Sequence, residues 1–147
     1  MASLISRLGR VFPPIARYIL AAVFLFSAMG KLVSPAQFHA FVASFLPTID
    51  TTVLLYAVVL AEIALAFLLV YPRTSVVGGV CSVGALLAFT LLLIVQSHAG
   101  SEVPCGCFGE FIAPLSHDAS ILRNFVLLLL AALTLHRITD EEKVGAK

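Results

Sequence analysis

Two cysteines separated by one glycine, Cys105-Gly106-Cys107, are the residues of this 147-residue chain best suited to chemistry. Thiols this close can exchange disulfides, ligate a metal, or lie unreactive in a turn. A bridge between residues i and i+2 closes a very small ring, and Gly106 permits backbone angles that other residues resist. Disulfide geometry asks for a Cα separation of about 4.4–6.8 Å, which such a pair only just meets. As a staple the bridge is nearly useless, because so short a loop barely restricts the unfolded chain. Strained, exposed disulfides have higher reduction potentials and are the labile or catalytic ones. Redox exchange by Cys105 and Cys107 is therefore the leading reading. The competing reading is a metal site in which His98 and His117 complete an S₂N₂ set. Those histidines stand at no recognised ligand spacing, so no metal is expected.

A second group of residues draws attention because of its surroundings. Glu62 lies near the middle of an apolar run, where a bare carboxylate is expensive. It is expected to face the protein interior, protonated or paired, with Lys31 and Arg123 as the available cations. Arg123 follows Asp118 by five residues, about 7.5 Å along a helix at 1.5 Å per residue. That depth places it under the Cys-Gly-Cys segment, where a guanidinium favours a thiolate. The plainer alternative is that Glu62 pairs with Lys31 or Arg123 only to hold helices in register. Asn124 is suited to hydrogen-bond a neighbouring helix, and Asp118 to cap the helix that carries both.

The elements that must position these residues are transmembrane helices. The chain is 61% hydrophobic and 12% charged, with a mean hydropathy of +1.08. A soluble domain of this size would lack the charge to cover its outside. About 20 consecutive apolar residues span a bilayer as a helix, and four blocks meet that length, at 15–33, 51–71, 75–97 and 119–136. Strand-like alternation is absent, so helices and not a barrel satisfy the backbone. The expected fold is a single all-α membrane domain, a four-transmembrane-helix bundle. The first block is read as a retained helix and not a cleaved signal, because Phe26-Ser27-Ala28 poorly matches a small-x-small cleavage site.

Orientation follows from the basic residues. Seven of the nine, Arg7, Arg10, Arg17, Arg73, Arg137, Lys143 and Lys147, fall on one side of the four spans. The positive-inside rule then puts both termini in the cytoplasm. The loops 34–50 and 98–118 face outward, where disulfides form and persist. Within the first outer loop, Ser34-Pro35 is a good helix start and Phe38, Phe41, Val42, Phe45 and Leu46 share a helical face. A short interfacial helix is expected there, placed to cover a site beneath it. Leu4, Ile5, Leu8, Val11 and Phe12 form a similar surface-anchoring face at the N-terminus. Gly78, Ser82 and Ala85, with Gly84 and Ala88 beside them, let helix backbones approach closely. Cys81 precedes Ser97 by sixteen residues, roughly 24 Å of helix. It is too far from the outer cysteines to pair with them and is read as a small hydrophobe.

Several of these residues together resemble a known family. Cys105-Gly106-Cys107-Phe108-Gly109 before the last helix, the Arg123-Asn124 pair that follows this loop, Gly30-Lys31-Leu32 closing the first helix and Glu62 in the second are similar to the MauE branch of the DoxX-like family of redox-associated bacterial membrane proteins. The likeness covers most of residues 17–136. It implies a bacterial inner-membrane protein handling thiol–disulfide traffic, with a periplasmic thioredoxin-like protein or a disulfide-containing substrate protein as partner. Cys105 and Cys107 are then catalytic, supported by Arg123, Glu62, Lys31 and Asn124. The lipid bilayer covers most of the surface, and nucleic acid is not expected. No cofactor is demanded by the residues, and a quinone is the candidate electron acceptor. Four-helix thiol oxidases that reduce quinones relay electrons through more than one cysteine pair, whereas this chain has one. Two readings compete with an oxidoreductase. One is a membrane scaffold or metal- or thiol-binding subunit of a redox complex without its own turnover. The other is a carrier that uses Glu62 for proton coupling, for which no inverted repeat is evident.

Overall fold

The computed structural model describes the backbone of residues 2–44, 46–98 and 117–145, and the side chains of 15–44, 46–98 and 119–136. Every regular element in it is helical. Helix α1 runs Ala2–Val33, α2 Pro35–Ala43, α3 Thr51–Val70, α4 Ser75–His98 and α5 His117–Gly145, with a 3₁₀ turn Pro72–Thr74 between α3 and α4. Four of these contain spans long and apolar enough to cross a membrane, Ile15–Val33, Thr51–Val70, Pro72–His98 and Ala119–His136. The protein is a four-helix membrane bundle.

The surface confirms the solvent. Phe67 is 70% exposed, Leu122 67% and Leu60 66%, and patches of this kind on every long helix are lipid-facing, not water-facing. The buried side of α3 is a narrow seam instead. Leu55, Val59, Glu62, Ala66 and Leu69 recur at alternating four- and three-residue steps and are all buried, the spacing of a helix seam packed against its neighbours. Glu62 therefore occupies a core position by register.

Several ends differ from the sequence expectation. Helix α1 starts well before the expected residue 15 and is continuous from Ala2 through Pro13 and Pro14, so the N-terminal amphipathic stretch is part of it. Helix α5 begins at His117, so Asp118 lies inside its first turn and not at the cap. Asp50 does cap α3, its carboxylate accepting from the backbone N–H groups of Thr52 at 2.8 Å and Val53 at 3.3 Å. Helix α2 follows the expectation more closely. Ser34 donates its N–H to the Gly30 carbonyl, which closes α1, and Pro35 then starts a helix whose fixed φ suits the first turn. Phe38, Phe41 and Val42 are buried, Leu46 is exposed, and Phe45 lies outside the described residues.

Close helix approach is real but selective. A Cβ on Gly78 would stand 2.8 Å from the Leu68 backbone carbon and 2.9 Å from the Leu69 nitrogen, so α3 and α4 touch backbone to backbone there. Gly84, read from its sequence as part of the same small-residue surface, has open space around it. Its helical phase turns it toward lipid. Ser82 is fully buried and Ala88 exposed.

Two apolar layers fill the bundle. One gathers Leu20, Ala21, Phe24, Leu65, Ala66, Leu69, Leu86 and Ala131. The other gathers Ala28, Leu55, Val59 and Leu93 under Phe38, Phe41 and Val42 of α2. Helix α2 thus folds down on the bundle as a plug on the end away from the 3₁₀ turn.

Candidate functional site

Between the two apolar layers lies a polar one. Going along α3 the order is Val59, Glu62, Leu65; along α4 it is Leu93, Phe89, Leu86; along α5 it is Ile121, Arg123 and Asn124, Leu127. Each helix thus brings its polar or aromatic residue to the same level.

Lys31 enters this layer from the last turn of α1. Side chains in a helix slant toward its N-terminus, so the Lys31 stem points back into the bundle and passes Ser27 one turn earlier. Its Nζ reaches Glu62 Oε1 at 2.6 Å and Ser27 Oγ at 2.8 Å, and Ser27 Oγ in turn donates to Glu62 Oε1 at 2.9 Å. The Phe89 ring lies 5.5 Å from the ammonium, a distance at which the ring quadrupole attracts a cation. Lys31 is 1% exposed and Glu62 3%. An isolated charge at this depth would cost several kcal/mol, and pairing with two further hydrogen bonds offsets that. The other carboxylate oxygen, Oε2, is buried and has no hydrogen-bond partner among the described residues.

Oε2 belongs to a residue that lines a cavity. The cavity, about 30 Å³ and only partly enclosed, is bounded by Ser27, Lys31, Glu62, Arg123, Asn124 and the Phe89 ring, with apolar walls from Val23, Phe24, Leu86 and Leu127. It holds room for one or two water molecules. Four residues singled out in the sequence, Lys31, Glu62, Arg123 and Asn124, therefore meet around one space. Ser27 and Phe89 complete the site and were not anticipated. The signal for Ser27 was present, since it precedes Lys31 by four residues and must share its helix face. Phe89 carried no signal, being one aromatic among eleven phenylalanines.

Cys105 and Cys107 lie outside the described residues. Arg123 stands six residues into α5, about 9 Å from its start, on the helix that the Cys-Gly-Cys segment precedes. His98 closes α4, its Nδ1 donating to the Ile94 carbonyl at 2.9 Å. Cys81 is a free, exposed thiol on α4, apart from the cavity residues.

A model of the family described as methylamine utilisation protein MauE matches residues 9–137, which takes in the cavity and both cysteines of the Cys-Gly-Cys segment. The chain belongs to the MauE family. It is 30% identical over 118 residues to the methylamine utilization protein MauE of Paracoccus denitrificans, covering 78% of this chain and 63% of that one. The MauE protein of Paracoccus versutus matches with the same identity and coverage. The chain thus spans a little under two thirds of the length of the MauE relatives it matches. No solved structure matches it.

Proposed function

We propose that this chain is a membrane thiol–disulfide oxidoreductase, or an essential subunit of one, that exchanges disulfides through Cys105 and Cys107. The observation that carries the reading is the Cys-Gly-Cys segment of a MauE-family chain, which precedes in sequence the helix whose Arg123 and Asn124 line the buried polar cavity. The relatives are named for methylamine utilisation, and a setting of that kind is part of the proposal. The partner is a periplasmic thioredoxin-like protein or a disulfide-containing substrate protein. The seven-to-two split of basic residues supports cytoplasmic termini in an inner membrane, which puts the cysteines on the oxidising side.

In the exchange, one thiolate of a partner dithiol attacks a sulfur of the Cys105–Cys107 bridge. The bridge breaks and a mixed disulfide forms. The partner's second thiol resolves it, so two electrons and two protons pass from the partner to the cysteine pair. Run backwards, the reduced pair reduces a partner disulfide. Turnover needs a second dithiol or disulfide from another protein to reset the pair. No step through a quinone is proposed. Arg123 is assigned the role of favouring the thiolate from the helix below it.

The carrier reading loses support on the layering. Leu20, Phe24, Leu65, Leu69 and Leu86 form a buried apolar cluster between Glu62 and the end of the bundle that holds the 3₁₀ turn. The exchange reading is tested by redox titration of the purified protein. A mild dithiol reagent should reduce the Cys105–Cys107 pair while the bundle stays folded with a barely altered Tm, because so small a ring contributes little loop-closure entropy. Thiols that resist oxidation and hold a stoichiometric metal would replace this reading with metal binding.

A further inference from the structure

The Lys31–Glu62 pair has one feature that a fixed staple between helices does not need. Its second carboxylate oxygen is buried, unpartnered among the described residues and part of a residue lining a partly enclosed cavity. A bare carboxylate oxygen against apolar walls is unfavourable, and the space beside it matches water in size. Asn124, 5% exposed, lines the same space and offers a donor and an acceptor, so a water there has the two or more polar partners it requires.

We propose that this cavity is a hydrated proton-binding site, in which Glu62 Oε2 takes up and releases one proton through cavity water. The step moves no electrons. An excess proton from the bulk passes through cavity water to Oε2, the water is left neutral, and Lys31 keeps its ammonium, so the bundle gains one positive charge. The charged groups facing Glu62 are Lys31 from α1 and Arg123 from α5. Helix α4 contributes Leu86 and Phe89, neither of which titrates, and α2 does not line the cavity, its His39 being bonded to Thr51 Oγ1 at 2.7 Å. Once Glu62 is neutral, Lys31 is still held by Ser27 Oγ and by the Phe89 ring. Both protonation states thus keep their hydrogen bonds, which is what a reversible site requires and a rigid ion pair does not. The proposal is independent of the cysteine chemistry.

Infrared spectroscopy of the full-length protein in lipid, titrated in H₂O and D₂O, tests it. A carboxylic C=O band should appear on acidification, be missing from Glu62→Gln, and shift in D₂O while the backbone amides of the bundle remain protiated. Asn124→Leu, which fills the cavity with hydrocarbon, should slow that shift to the pace of the amides. If Glu62→Gln fails to fold, the paired variant Lys31→Met/Glu62→Leu removes both charges together and assigns the band. No such band across the pH range in which the bundle stays folded would overturn the proposal. So would a band in the wild type that exchanges only when the amides do, since that marks a dry, closed pair.

Discussion

Lys31 and Glu62 form one buried unit, joined directly and cross-linked through Ser27 Oγ. A lone carboxylate within 20 apolar residues had to be partnered, and the only cations near it in depth were Lys31 and Arg123. Choosing between them needed the slant of the α1 side chains and the heptad-like register of α3, which bring Lys31 Nζ to 2.6 Å. Burial makes the pair asymmetric in its response to mutation. Lys31→Met strands a carboxylate 3% exposed, and removal of one partner of a buried pair typically costs about 3–5 kcal/mol, whereas replacing both by apolar residues is often neutral. Lys31→Met and Glu62→Leu alone should each lower stability strongly, and Lys31→Met/Glu62→Leu together should recover most of it. Reversible unfolding in mixed micelles measures this. A double variant as unstable as the singles would mean that the pair is not the coupled unit described.

At the scale of elements, the spans were legible because apolar length is dictated by the bilayer, and Ile15–Val33 and Ala119–His136 fall where composition places them. The ends were less legible. Nothing local distinguishes a helix that starts at Ile15 from one that already runs through Pro13-Pro14, and Asp118 is as acceptable in a first turn as at a cap. The small residues of α4 illustrate the limit most clearly, since composition gives spacing but not phase. Gly78 meets the Leu68 and Leu69 backbone within 3 Å, while Gly84 meets nothing within 4 Å. Gly78→Ala should therefore push α4 off α3 and destabilise by about 1–3 kcal/mol. Gly84→Ala should be neutral or stabilise by up to about 1 kcal/mol through helix propensity. Equal effects at the two positions, measured by the same unfolding assay, would put the α3–α4 contact elsewhere.

On the scale of the whole molecule, a polar layer sits between an apolar seal and the plug formed by α2, on the α5 helix that follows the Cys-Gly-Cys segment. The four spans and four residues of that layer, Lys31, Glu62, Arg123 and Asn124, could be read from the chain, whereas Ser27 and Phe89 were not anticipated. Which end faces the cytoplasm rests on the basic residues alone. A membrane-impermeant maleimide applied to reduced, intact spheroplasts should label Cys105 or Cys107 but not Cys81, and labelling only after lysis would reverse the orientation. Exchange of disulfides between the Cys105 and Cys107 pair and a partner protein is measured by trapping. Cys105→Ser and Cys107→Ser, expressed singly in cells, leave one thiol free to form a mixed disulfide that cannot be resolved internally. At least one single variant should give a shifted, reducible band on a nonreducing gel, and Cys105→Ser/Cys107→Ser should lose both that band and biological activity while remaining folded. A double variant with full activity and no trapped partner from either single variant would contradict disulfide exchange.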